Sequence, residues 1–321
     1  MSSTLSTGSN TSPLLAQLNS QGFVIIRSLI SGKDLETLQA GAEEITTLAR
    51  AGKWPSVRTI GKQFPPWPVG LSSSELAALG GIWGIQGLMS PTIPGLPGVS
   101  VNPHASLFAN LYFSSKILDI VKELLPGATH DNELVMELLN MLVAPDCAFE
   151  LRWHRDDIPS QATVEQELER LSKPSWHAQY NLALYEDESL ILVPGSHCRA
   201  RTETERMASA FEPKLPGMLV VKLKPGDCVF YNNNILHRGV YAPREGIENG
   251  KRRMTVHGSV GHIKGGRMRA RNVLQHGVGK WANECLFIEL EEERREIARA
   301  MRDKLVQLGQ ETGELGYSHA D

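Results

Sequence analysis

Leu151-Arg152-Trp153-His154-Arg155-Asp156-Asp157 is the stretch around which the rest of the chain is arranged. In an extended backbone alternate side chains share a face, so His154 and Asp156 project together while Trp153 and Arg155 project to the other side. An imidazole and a carboxylate two residues apart on a strand supply two of the three ligands of a 2-His-1-carboxylate site. Such a site leaves open positions on a non-haem Fe(II). Completing it takes a second histidine much later in the chain and, for a cosubstrate, a cation. Both occur.

The second histidine lies in Phe230-Tyr231-Asn232-Asn233-Asn234-Ile235-Leu236-His237-Arg238-Gly239. His237 follows a strand pattern and precedes Gly239, which places it at a rim where a strand turns and where it can meet His154 and Asp156 across a barrel mouth. The next strand reads Lys251-Arg252-Arg253-Met254-Thr255-Val256-His257. Arg253 and Thr255 share a face, so a guanidinium fork and a hydroxyl converge as a carboxylate requires. Arg252 points the other way and is the second candidate. Asn140, on a strand before the His-x-Asp segment, and Gln179 with Asn181, on one face of the strand after it, are read either as contacts for cosubstrate or substrate or as satisfied core amides. His197 is read as structural, His257, His262 and His276 as structural or surface, and Tyr231 and Trp153 as core.

Composition narrows the class. The 321 residues suffice for one large or two ordinary domains. Basic and acidic residues number 33 and 36, a net of −3, so nothing global recruits nucleic acid or an anionic membrane. Cys147, Cys198, Cys228 and Cys285 lie far apart with no C-x-x-C pair, which disfavours a zinc ribbon and suits reduced thiols in the cytoplasm. Residues 1–13 are Ser/Thr/Asn-rich, with neither a basic n-region nor an apolar h-region, and read as a disordered tail. No apolar run is long enough to span a bilayer. Phosphate-loop, dinucleotide and nucleophile-elbow motifs are absent.

Helical periodicity predicts helices over Leu14–Gln21, Gly32–Arg50 (capped by Ser31), Leu107–Leu125 and Asn283–Leu308. Between the second and third, Gly52 to Pro103 is rich in Pro, Gly and Trp. It reads equally as a functional loop or lid and as a surface meander anchored by its tryptophans. From Glu133 to Val260 the pattern becomes short strands separated by turns, the signature of a sandwich or barrel. Thr163–Leu171 reads as a solvated acidic helix. Lys264, Arg267, Arg269 and Arg271 read as a solvated basic loop, or as a contact for a phosphate-bearing substrate. The apolar stripe of the last helix would cover the β core or a partner copy in a homodimer. The fold class expected is α+β with a mainly β core, a double-stranded β-helix (jelly-roll, cupin-like) buttressed by N-terminal and C-terminal helices.

The order His-x-Asp, strands, His, strand, Arg-x-Thr resembles the Fe(II)/2-oxoglutarate dioxygenases. In finer detail it resembles the phytanoyl-CoA dioxygenase (PhyH) family, through Gly22-Phe23-Val24-Ile25-Ile26-Arg27, Trp153-His154-Arg155-Asp156, Val193-Pro194-Gly195-Ser196-His197 and Pro225-Gly226-Asp227 ahead of His237-Arg238-Gly239. The resemblance extends over residues 14–262, leaving 263–321 as a C-terminal segment packed on the same domain. It implies a jelly-roll core and Fe(II) held by His154, Asp156 and His237. The 2-oxoglutarate would sit with its 5-carboxylate on Arg253 and Thr255, and O2 would oxidise an unactivated C–H bond with release of succinate and CO2. Retention of Asp156 argues against halogenation. The loop Tyr185–Leu190 is short for the family and the segment from His237 to Arg253 is long, through Gly246–Gly250, which keeps Arg252 beside Arg253 as a candidate. The expected substrate is a small, largely apolar organic molecule such as a secondary metabolite. A fatty acyl-CoA and a non-catalytic binding barrel are the alternatives.

Overall fold

The computed structural model describes residues 12–62, 65, 67–93, 100–241 and 253–310. Arg252, the Gly246–Gly250 loop and nearly all of the N-terminal tail lie outside them. The chain opens with helix α1 (Pro13–Gln21), strand β1 (Phe23–Ile26) and helix α2 (Gly32–Arg50), at the expected places. Gly22 ends α1 in the left-handed region (φ 82°), and a Cβ there would stand 2.5 Å from His197 Nδ1. His197 therefore packs against the last turn of α1, and its Nε2 lies 3.1 Å from the Asn19 carbonyl.

The Trp/Pro-rich segment is less irregular than its sequence. It contains β2 (Val57–Thr59), α3 (Ser73–Ala78) and β3 (Ile82–Ile85). The helix predicted over Leu107–Leu125 is two helices, α4 (Ala105–Tyr112) and α5 (Ser115–Leu124). Ser114 lies between them with extended backbone, and its hydroxyl donates to the Leu111 carbonyl at 2.7 Å. A serine that bonds locally to the backbone competes with helix continuation.

The remaining elements are β4 (Leu134–Val143), β5 (Phe149–Glu150), α6 (Val164–Leu171), β6 (His177–Ala183), β7 (Leu190–Leu192), α7 (Glu203–Met207) and β8 (Leu219–Val220). They are followed by β9 (Cys228–Tyr231), β10 (His237–Tyr241), β11 (Met254–His262), α8 (Gly266–Gln275) and α9 (Glu292–Gln310). Seven strands form one sheet in the order β1-β9-β6-β11-β4-β3-β2, and four form a second in the order β5-β10-β7-β8. Every pairing is antiparallel. This is the jelly-roll arrangement, with helices on one face of the larger sheet.

Alternation in β6 shows how the layers divide. Ala178, Tyr180 and Leu182 join the core shared with Ile45, Phe108, Tyr112, Ile117 and Met301. Gln179 and Asn181 point the other way and line a cavity. No helix among the described residues is long and apolar enough to cross a membrane.

Three surface expectations are corrected. The basic segment after Gly261 is mostly helix α8 rather than a loop; Lys264, which precedes it, and Arg267 are exposed as expected, but Arg269 pairs through two nitrogens with buried Glu137 at 2.5 and 2.8 Å. The acidic helix α6 is pinned at Glu167, which is fully buried and meets Arg201 at 2.5 Å and Arg206 at 2.6 Å. The last helix starts at Glu292 rather than near Asn283. Phe287 turns the chain at φ 52° to pack edge-on against Phe113 (ring centroids 5.1 Å apart), which leaves Leu286 and Ile288 exposed. The stripe that remains, Ala298, Met301 and Leu305, is buried in the chain's own core against β4.

Candidate active site

His154 and Asp156 do not sit on a regular strand. Strand β5 ends at Glu150, and the His-x-Asp segment instead makes an isolated bridge to the first residue of β10. His154 N–H donates to the His237 carbonyl and His237 N–H to the His154 carbonyl, each at 3.0 Å. The backbones of two candidate ligands are thus bonded directly to each other. Asp156 N–H donates to the Asn233 carbonyl at 2.9 Å, which fixes the next residue but one.

The expected alternation survives without the strand. Trp153 packs with Ile191, Val193, Leu215 and Leu236. Arg155, almost fully buried, donates to the carbonyls of Ser196 (2.9 Å), Asn234 and Arg199 (3.1 Å). Ser196 in turn accepts the Leu236 N–H at 2.7 Å. The Pro-Gly-Ser-His turn and Arg155 together clamp the His-x-Asp segment to the chain just before His237. His237 follows β9, as expected, and itself opens β10.

The three side chains converge. Their donor atoms all lie within 4.8 Å of one another, with Asp156 Oδ1 3.5 Å from His154 Nε2 and 3.7 Å from His237 Nε2. His154 Nδ1 lies 2.7 Å from the Arg152 carbonyl, and His237 Nδ1 lies 2.9 Å from that of Ile235. Each Nδ1 therefore carries the proton and donates it, leaving Nε2 as a lone-pair donor aimed at the shared point. Burial, reinforced by the adjacent His237, pushes the His154 imidazole down to about 4 and keeps it neutral. Burial opposes the charge of Asp156, but the two imidazoles and a hydrogen bond from Gln179 Nε2 to Oδ2 (3.0 Å) hold its carboxyl below the usual range. Two imidazoles and a carboxylate, each oriented from behind, form a donor set suited to a divalent transition metal.

Arg253 lines the same cavity. Its Nε lies 3.0 Å from Asp187 Oδ1 and its guanidinium 4.3 Å over the Tyr241 ring. Arg253 Nη1 and, one strand period on, Thr255 Oγ1 are buried with no hydrogen-bond partner among the described residues. A buried donor of this kind calls for an acceptor.

The other predicted residues take different places. Gln179 lines the cavity but spends its amide on Asp156. Asn140 is buried and is not among the lining residues; its amide oxygen accepts from Arg58 Nη2 at 3.0 Å. Asn181 Oδ1 is 2.9 Å from His257 Nδ1. His257 and His276, read from sequence as structural or surface, both face the cavity, as do Arg58 and Arg269. One signal for Arg269 was available: Glu137 interrupts the apolar strand Leu134–Val143, and a buried carboxylate demands a cation. The cavity holds about 160 Å³, with Leu138, Leu142, Leu151 and Trp83 as its apolar side.

No protein-family model matches the chain, and no curated protein matches it. Solved structures do. AviO1 from Streptomyces viridochromogenes Tue57 aligns over 81% of this chain and 96% of its own, at 17% identity and a TM-score of 0.51. EctD from S. alaskensis, with 2-oxoglutarate and 5-hydroxyectoine, aligns over 82% and 80%, at 16% identity and a TM-score of 0.52, and is also known with bound Fe. HygX from Streptomyces hygroscopicus, with nickel and 2-oxoglutarate bound, aligns over 78% and 86%, at 15% identity and a TM-score of 0.50. At these identities the likeness is one of fold, and the fold is the jelly roll on which those metal- and 2-oxoglutarate-bound structures are also built.

Proposed function

We propose that the protein is an Fe(II)- and 2-oxoglutarate-dependent oxygenase acting on a small organic molecule. The observation that carries this reading is the pairing of a convergent His154–Asp156–His237 donor set with Arg253 on the same cavity, its Nη1 buried and unsatisfied among the described residues, as is Thr255 Oγ1 two residues on, in β11. His154, Asp156 and His237 would hold the iron, and Arg253 with Thr255 the 5-carboxylate of 2-oxoglutarate. Bound iron supplies oxygen activation coupled to decarboxylation of 2-oxoglutarate, with oxidation of a substrate C–H bond.

The chain's own residues prepare that chemistry. The Arg152 and Ile235 carbonyls fix both imidazole tautomers, and Gln179 presents one oxygen of Asp156 to the metal by engaging the other. Asp187 compensates the Arg253 charge, so the guanidinium keeps its full charge despite burial. Leu138, Leu142 and Trp83 exclude water on the substrate side. A cavity of about 160 Å³ favours a small substrate over a fatty acyl-CoA thioester. The four free cysteines suit a cytoplasmic enzyme.

The test is to add Fe(II) and 2-oxoglutarate anaerobically to metal-free protein and record the visible metal-to-ligand charge-transfer band of the chelate. The expected result is a band in the wild type that weakens sharply in Asp156→Ala and Arg253→Ala. Iron binding without any band would remove 2-oxoglutarate from the reading.

A further inference from the structure

A second arginine on the cavity wall has no counter-charge among the described residues. Arg58 comes from β2, the edge strand of the larger sheet, yet it is only 8% exposed. Its side chain passes over the neighbouring strand at Gly84, with which it pairs. A Cβ at Gly84 would stand 2.9 Å from Arg58 Cδ and 3.3 Å from its Cβ and Cγ, so the missing side chain is the space the arginine stem occupies. The guanidinium then lies 4.5 Å from the Trp67 ring centroid and 5.3 Å from that of Trp83. Asn140 accepts from Nη2 at 3.0 Å, and Nε is buried without a partner.

The other arginines of this wall are neutralised, Arg253 by Asp187 at 3.0 Å and Arg269 by Glu137 at 2.5 Å. Arg58 makes no ion pair among the described residues. Burial pulls its pKa down to about 10 with no carboxylate to offset it. A desolvated, unpaired cation is costly to keep. Here the sheet leaves out a side chain at Gly84 and spends two tryptophans and an asparagine to hold it.

We propose that Arg58 recognises a carboxylate of the substrate, so that the enzyme acts on small organic acids and not on neutral apolar molecules. This rests on the oxygenase reading and sharpens it. With indole rings against the guanidinium, the N–H edge is what remains, and an in-plane carboxylate is the ligand such an edge accepts best. The hydrocarbon part of the acid would lie against Leu138, Leu142 and Leu151.

The experiment measures binding and needs no turnover. A panel of small carboxylic acids, each matched with its primary amide, is titrated anaerobically into protein loaded with Fe(II) and 2-oxoglutarate and followed by ligand-observed NMR. Acids are expected to bind, with the amides weaker by roughly 10- to 100-fold, the range for hydrogen bonds to a charged group. Arg58→Gln should weaken the acids by a similar factor and leave the 2-oxoglutarate affinity unchanged. Gly84→Ala, which keeps the charge but displaces the stem, should also weaken the acids. Three outcomes overturn the proposal: no acid binds, amides bind as well as acids, or Arg58→Gln weakens 2-oxoglutarate instead. If the chelate band never forms but the metal-free protein still prefers acids through Arg58, the oxygenase reading fails while carboxylate recognition by Arg58 stands.

Discussion

Replacing Gln179 by leucine tests whether Asp156 is a metal ligand oriented from behind. Leucine preserves the bulk of the side chain and the strand position but removes the amide that donates to Asp156 Oδ2 at 3.0 Å. That bond leaves Oδ1 facing the two Nε2 atoms at 3.5 and 3.7 Å. Without it the carboxylate is free to turn about its last torsion. Hydrogen bonds to charged groups contribute about 1.5–3 kcal/mol. Because the Asp156 side chain is 32% exposed, the lower end applies. At about 1.4 kcal/mol per decade, metal affinity should fall roughly tenfold, in line with the loss typical of groups that orient a metal ligand. The assay is anaerobic competition for Fe(II) against a chromophoric chelator, with circular dichroism to verify the fold. A second readout follows from charge. Gln179 helps hold the Asp156 carboxyl down, so its loss raises that pKa, and the pH at which half the metal is released should move up. An affinity within threefold of wild type in a folded Gln179→Leu protein, with an unshifted release pH, would refute the orienting role.

Acid should destabilise the metal-free protein early. Burial holds His177, His257 and His276 at about 4, 3 and 4. As pH falls below about 6.5 the unfolded chain binds their protons first, so each site lowers stability by up to about 1.4 kcal/mol per pH unit until its folded value is reached. Urea unfolding across pH 7 to 5 reads this slope, and a flat profile would contradict it. Glu167→Ala strips two arginines of their buried partner and should cost about 3 kcal/mol or more, read as a lower urea midpoint with unchanged slope. Fe(II) at a hundred times its dissociation constant should stabilise the wild type by about 2.7 kcal/mol and leave Asp156→Ala where it was, as thermal unfolding would report.

The triad was legible because its information is local and ordered: a two-residue spacing, then a histidine before a glycine, then an arginine two residues from a threonine. The strand invoked for that spacing does not exist, but the bridge to His237 imposes the same alternation. What stayed hidden depends on distant partners. Nothing near Arg269 separates it from Arg267 or Arg271, and only the seating of α8 beside Glu137 selects it. Arg58 sits in a segment whose prolines and tryptophans read as loop, and its aim is decided by a glycine 26 positions away on a paired strand. His257 read as structural or surface because only the folded sheet buries it near Arg58, Arg253 and Asp156.

The strand order also sets when this protein can exist at all. Strand β1 pairs Phe23 with Tyr231, and β4 pairs Leu134 with His262. Contacts between residues so far apart must wait for loop closure, which makes folding slow relative to local helix formation. On the ribosome, residues 23–26 would remain an open edge while some two hundred more are added, and Glu137 would stay without its arginine until α8 has emerged. The helices α2, α4 and α5, made in between, are the surfaces available to shield that growing chain. A chain released before α8 would carry all three candidate ligands and an unneutralised acid in its sheet, so truncation there should yield aggregates rather than soluble protein.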